Sequence, residues 1–293
     1  MRIPGYGKGK SLGSMSSDHQ VVIEAKKGGL HVPVRAIWQY RELLYFLVWR
    51  DVKVRYKQTV LGVMWILLQP LLSTVIFTVL FGILLGAPHG DVPYPVFVLA
   101  GLIPWSYFSG SLSKSSTSVV NSSSLVTKVY FPRVIIPMAG VLAGLVDFLI
   151  MSVALGVLLL VYGISPTVNA WLLPIFLLLA MGTAFGFGLW LSALNVRYRD
   201  VTYLMPFILQ VWLYLTPVMY SSSIIPERFR FLLGLNPMTG VVEGFRWALF
   251  GGKYVNSLTD LTLLVVSVVI MIIILVVGLA YFRKTERSFA DII

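Results

Sequence analysis

Uncharged, mostly apolar positions gather into six long runs, at roughly residues 60–86, 94–113, 134–162, 171–194, 202–220 and 258–282. A helix needs about 17 to 25 such residues to cross a bilayer core ~30 Å thick. Each run therefore predicts a membrane-spanning helix, and the chain reads as an all-α integral membrane protein. Ahead of the first run, Ile37, Tyr40, Leu44, Leu47 and Val48 recur at helical spacing, while Arg41, Arg50, Asp51 and Arg55 lie largely off that stripe. That pattern predicts an amphipathic helix over 35–57, lying in the cytoplasmic interface. Residues 221–257 are too apolar for a loop and too broken for a span, with interruptions at Pro226, Asn236-Pro237 and Gly251-Gly252. Irregular backbone at membrane depth must pack on protein or line water, so a re-entrant helical hairpin is expected between the fifth and sixth spans. The organisation is then a flexible cytoplasmic tail (1–34), the interface helix (35–57), a six-span domain (58–283) and a C-terminal tail (284–293).

Composition agrees with a lipid solvent. Charged residues make up 12% of the 293 residues and apolar types 57%, against about 25% charged in a soluble domain. The net charge of +11 could suggest nucleic acid, but the basic residues sit between apolar runs rather than on one face. With the N-terminus inside, 19 of the 23 Lys and Arg fall on the inner side and four outside (Arg228, Arg230, Arg246, Lys253). The positive-inside rule then puts both termini in the cytoplasm. No short apolar core with a cleavage site precedes the first run, so that run is read as an uncleaved span.

Several chemistries are excluded or weak. There is no cysteine, so disulfides, thiolate metal sites and cysteine nucleophiles are out. Gly9-Lys10-Ser11 resembles the end of a phosphate loop, but Pro4 stands where the pattern needs glycine and no strand precedes it. His19, His31 and His89 are scattered and support neither a metal site nor a triad. "GVLAG" (140–144) and "GTAFG" (182–186) read as close helix-packing faces. Asp147 is the one carboxylate near the middle of a span, and no Lys or Arg of comparable depth suggests itself as its partner. It reads either as a proton relay or as a hydrogen-bonded or water-facing structural aspartate.

Two faces invite a ligand. Tyr203, Phe207, Gln210, Tyr214 and Pro217 fall within about 80° of one another at 100° per residue. In the first run Trp65, Gln69 and Ser73 follow at i, i+4 and i+8. Aromatic rings beside amides suit sugars, whose C–H faces pack on the ring while hydroxyls find the amide; an aromatic belt is the alternative. Gln69-Pro70 also bends its helix, because Pro70 cannot donate to the carbonyl of Ile66.

The stretch "WRDVKVRYKQTVLGVMWILLQP" (49–70) resembles the first-span signature of ABC-2 type permeases of the polysaccharide-export branch, the Wzm and TagG kind. The likeness continues through "GLIPWSYFS" (101–109), "NSSSLVTKVYFPRVIIP" (121–137), "NVRYRDVTYLMPFILQVWLYLTPVMY" (195–220), "LNPMTGVVEGFR" (235–246) and "ERSFADII" (286–293). The resemblance implies a homodimer whose two copies build a conduit, served by two separate ATPase subunits. ATP and Mg would be bound by those partners, with no cofactor or metal in this chain and no catalytic residue. The cargo it implies is a glycan on a polyprenyl diphosphate carrier. Trp65, Gln69, Ser73, Tyr203, Phe207, Gln210 and Tyr214 would line its path. Arg50, Asp51, Arg55, Lys128, Tyr130 and Arg133 would carry ATPase docking and coupling. Lys53, Lys57, Arg197 and Arg199 would meet the carrier pyrophosphate, or serve as positive-inside charges and ion-pair partners of Asp51 or Asp200. Another cargo on the same architecture (teichoic acid, capsule, a drug) is the first alternative, and a membrane transferase or scramblase a more distant one.

Overall fold

The computed structural model describes residues 34–57, 64–88, 90–251 and 261–292. The expected flexible tail, the phosphate-loop near miss at 9–11, and residues 60–63, 252–257 and 258–260 of the expected spans and hairpin lie outside the described residues, apart from Val34. All regular structure among the described residues is helical. Short α1 (Val34–Gln39) and longer α2 (Arg41–Lys57) precede α3 (Met64–Phe77), which continues as a π-helical stretch, Thr78–Leu84. Then come α4 (Tyr94–Asn121), α5 (Ser123–Lys128), α6 (Ile135–Val161), α7 (Leu173–Arg197) and α8 (Val201–Leu215). The chain closes with α9 (Glu227–Gly234), α10 (Pro237–Phe250), α11 (Leu261–Glu286) and α12 (Phe289–Ile292).

Among the described residues five helices are long and apolar enough to cross a bilayer: Met64–Leu84, Tyr94–Asn121, Ile135–Val161, Val168–Arg197 and Leu264–Glu286. The protein is therefore a multi-pass membrane protein. The fifth expected span differs. It is the 15-residue α8, about 22 Å long at 1.5 Å per residue, which stops at Leu215 instead of running to 220. Pro217 disfavours the helical region for the residue before it, and Thr216 stands extended at φ −100°, ψ 135°, which ends the helix.

α4 is the hub, packed against α3, α6, α7, α8 and α10. It has the lowest mean hydropathy of the five, 1.3, and the largest buried share, 78%; Leu264–Glu286 has 3.1 and 17%. A helix wrapped by protein needs small residues and fit, whereas one facing lipid needs apolar surface all round. The glycine faces supply that fit. A Cβ on Gly144 of α6 would lie 2.4 Å from Ser111 Oγ of α4. One on Gly278 of α11 would lie 2.2 Å from the carbonyl oxygen of Gly186 on α7. Both pairs thus depend on backbones approaching closer than any larger residue allows.

The stripe of α2 faces protein. Leu47 is buried, and Tyr40, Leu44 and Val48 pack around it against a cluster that includes Val126, Phe131, Ile135, Phe282 and Phe289. Tyr45, Phe46 and Trp49, on the other side of α2, are exposed. In α3, Thr74 Oγ1 donates to the carbonyl of Pro70 at 2.8 Å and Thr78 Oγ1 to that of Thr74 at 2.7 Å. Such back-bonding bends helices. It leads here into the π stretch, where Leu85 N–H reaches the carbonyl of Leu80 at 3.1 Å. Pro70 therefore shares the distortion of this long uncharged run with the threonines and the π turn.

Candidate conduit faces and coupling elements

α8 is two-faced. Met205 is buried, and Trp212 stands edge-on to Phe108 and Phe187, each at 5.0 Å between ring centroids. The opposite side carries Tyr203 (83% exposed), Phe207, Gln210 and Tyr214 (55% exposed). The sequence pattern for these four holds, but Pro217 leaves the face because α8 has ended; it is buried, and its carbonyl accepts from Arg246 Nη1 at 2.6 Å. On α3, Trp65, Gln69 and Ser73 line an open groove of about 450 Å³ together with Leu68, Leu72 and Ile76. All six lining residues belong to one helix, so the groove has a single wall. α3 and α8 both pack on α4, the first also touching α6 and the second α7.

Two asparagines hold this geometry. Asn236 caps α10, its Oδ1 accepting from Met238 N–H at 3.1 Å and from Trp212 Nε1 at 2.9 Å, while its Nδ2 donates to Thr216 Oγ1 at 2.9 Å. With Pro237 at the first helical position, where a missing N–H costs nothing, α10 starts at a point tied to the end of α8. Asn195 is buried near the end of α7; it donates to the carbonyl of Ser116 at 3.1 Å and accepts from Thr202 Oγ1 at 3.1 Å. It thereby joins α4, α7 and α8.

Arg246 is wholly buried (0% exposed). Its Nε donates to the carbonyl of Phe97 at 3.1 Å, its Nη groups donate to the carbonyls of Pro217 and Val218, and Glu243 stands 3.8 Å away. Arg246 is one of the four basic residues expected outside, yet it binds carbonyls of α4 and of the chain just past α8. Gly101 makes room for it, since a Cβ there would lie 2.5 Å from Nη2.

The proposed docking residues fall into two groups. Lys128 and Tyr130 are exposed, Tyr130 at 79%. Arg133 turns inward: its backbone N–H donates to Glu286 Oε1 at 3.1 Å, its guanidinium donates to the carbonyl of Glu286, and it lies 6.0 Å over the Phe289 ring. The C-terminal tail is thus held against the 121–133 segment, with Phe289 edge-on to Phe282 at 5.3 Å. Arg50 pairs with its neighbour Asp51 at 3.0 Å, both side chains open to solvent. Lys53 and Lys57 lie exposed on α2, and Arg197 and Arg199 lie exposed at the turn from α7 to α8, where Arg197 stacks over Tyr198 at 5.4 Å.

Asp147 corrects the sequence reading most. It has cationic partners: Arg55 of α2 donates to Oδ2, Lys114 of α4 stands 3.7 Å away, and Tyr56 donates to Oδ1 at 2.7 Å. Burial pushes the Tyr56 phenol above its ordinary pKa, which keeps it a donor. These partners were hidden because they are separated by more than thirty and ninety residues in sequence. Asn195, Asn236 and Arg246 were missed as well. Their signal was present in the quoted blocks, where each polar residue stands among apolar neighbours.

The chain belongs to the ABC-2 type transporter family, whose pattern matches residues 42–250. It is 30% identical over 254 residues to an O-antigen export system permease protein, RfbA, of Klebsiella pneumoniae, covering 86% of this chain and 95% of that one. Similarity to RfbA of Myxococcus xanthus is also 30%, over 88% and 98% of the two chains. KpsM, a polysialic acid transport protein of Escherichia coli, is 25% identical over 82% of this chain and 92% of its own.

Proposed function

We propose that this chain is the transmembrane subunit of an ATP-driven exporter, moving a polyprenyl-diphosphate-linked polysaccharide of the O-antigen type across the bacterial cytoplasmic membrane. The observation that carries this is the pair of faces left open among the described residues, Trp65-Gln69-Ser73 on α3 and Tyr203-Phe207-Gln210-Tyr214 on α8. The names of its relatives support the cargo. A groove with one wall needs a second, and a second copy of this chain would supply it, so the conduit is a homodimer. Rings that are exposed and spaced along a helix offer weak, repeated contacts, which suits a polymer that must keep moving.

In this reading both termini are cytoplasmic, α2 lies at the cytoplasmic interface, and α8 with the packed ends that follow it makes the fifth of six crossings. α9 and α10 form the re-entrant hairpin on the far side. Hydrolysis belongs to two copies of a separate ATPase, which bind ATP and Mg, while this chain is not an enzyme. The exposed Lys128 and Tyr130 meet that partner, with Arg50 and Asp51 of α2 beside them. Lys53, Lys57, Arg197 and Arg199 receive the pyrophosphate of the carrier. A capsular polymer on the same path is the second reading, favoured by the similarity to KpsM.

The test is complementation of a strain lacking the chain, with surface glycan as readout. Export is expected to need a co-expressed ATPase and to stop with vanadate. Tyr214→Ala and Trp65→Ala are each expected to lower export severalfold without lowering protein level. Normal export in both would remove the aromatic path.

A further inference from the structure

Asp147 lies twelve residues into α6, about 18 Å along the helix. Three elements meet at its carboxylate: α6 itself, α2 through Arg55 and Tyr56, and α4 through Lys114. Each incoming element leads somewhere functional. Arg55 and Tyr56 are in the last turn of α2, eight to ten residues before Met64 and Trp65 of α3. Lys114 is seven residues from the end of α4, which runs directly into α5 and the exposed Lys128 and Tyr130.

The node is also built to exchange. The side chains of Arg55 and Lys114 are each 30% exposed and that of Asp147 23%. Arg55 is in contact while Lys114 stands at 3.7 Å, so the carboxylate has a second cation ready should the first withdraw. Apolar packing offers no such choice of partner. Among the described residues the groups that touch it directly are two cations and a phenol.

We propose that Asp147 is the positioning residue of an ionic node that carries movement of the 121–133 segment through α4 to α2 and α3, so that ATP use and glycan movement stay linked. This rests on the exporter reading above. It assigns Arg55 to linkage inside the chain rather than to the ATPase surface.

The experiment reconstitutes the chain with its ATPase and carrier-linked glycan in proteoliposomes and measures glycan exported per ATP hydrolysed. In Asp147→Asn hydrolysis is expected to continue while the ratio falls about tenfold, the size of an ordinary coupling between sites. Asp147→Glu should restore most of it, and so should the exchanged set Arg55→Asp/Lys114→Gln/Asp147→Arg, which rebuilds the pair without a carboxylate at 147. The absence of cysteine permits a second measurement. Spin labels at Val54→Cys and Thr127→Cys, both exposed, should report a nucleotide-driven distance change that Asp147→Asn abolishes. A wild-type ratio and distance change in Asp147→Asn would overturn the node. Rescue by Glu with none by a folded exchanged set would also overturn it, in favour of an acid at 147. Failure of the wild-type chain to export with ATP would instead overturn the exporter reading.

Discussion

Arg246 and Asp147 each bring a charge inside a helical bundle, and they are held in opposite ways. Arg246 is fully buried and spends its donors on backbone carbonyls of α4 and of the broken end of α8. Asp147 is partly open and held by side chains from two other helices. Backbone carbonyls cannot swing away, and a buried guanidinium has nowhere else to go. Side chains in partial contact with solvent can trade partners at small cost. The difference separates a lock from a joint, and it falls where the fold would want each. The lock secures the short α8 and the helices beyond it, and the joint sits between α2, α4 and α6.

The largest effect tests the lock. Arg246→Met leaves the carbonyls of Phe97, Pro217 and Val218 buried without this donor and takes the cation from beside Glu243, and removing one partner of a buried charge pair costs about 3–5 kcal/mol. A much lower melting temperature and a smaller monodisperse peak on size exclusion are the expected results, and an Arg246→Met protein that melts like wild type would remove the lock. Next comes its socket. Gly101→Val forces a branched side chain against the guanidinium, with an overpacking cost of about 1–3 kcal/mol. In a thermal-melt double-mutant cycle with Arg246→Met the two losses should fall short of additive, because they damage one contact. Phe289→Ala should cost about 3 kcal/mol by releasing the tail from Phe282 and Arg133, read as a lower melting temperature and faster proteolysis near the C-terminus. Asp147→Asn should lower stability less, by about 1–2 kcal/mol for partly open pairs, while its coupling defect is large. A melt loss as great as that of Arg246→Met would erase the contrast. The smallest change is Arg50→Gln, within about 1 kcal/mol for an exposed pair.

Much of the fold was legible beforehand because lipid imposes a coarse code: long apolar runs, charges between them and cations on one side. α6 and α7 match their expected spans closely, at 135–161 and 173–197 against 134–162 and 171–194. Small-residue spacing marked 140–144 and 182–186 as close-packing faces, and the structure sets the first against α4 and the second against α11. The α8 face was legible because helical periodicity is local, and it failed only at Pro217, where the periodicity ended. The apolar stripe of 35–57 was legible as helical periodicity, but what covers it was not: Leu47 is buried in a cluster with Ile135 and Phe282, and periodicity does not distinguish protein from lipid.

By itself the sequence determined a multi-pass helical membrane protein, its family and the aromatic faces, because each of these rests on composition or on spacing within a single helix. Only the tertiary structure decided the partners of Asp147, the burial of Arg246, the docking of the C-terminal tail through Arg133 and the early end of α8 against α10. The physical reason is the same in every case. A polar group in a low-dielectric interior is held by whichever donors or acceptors folding brings within about 3 Å, and those come from helices that the linear sequence keeps far apart.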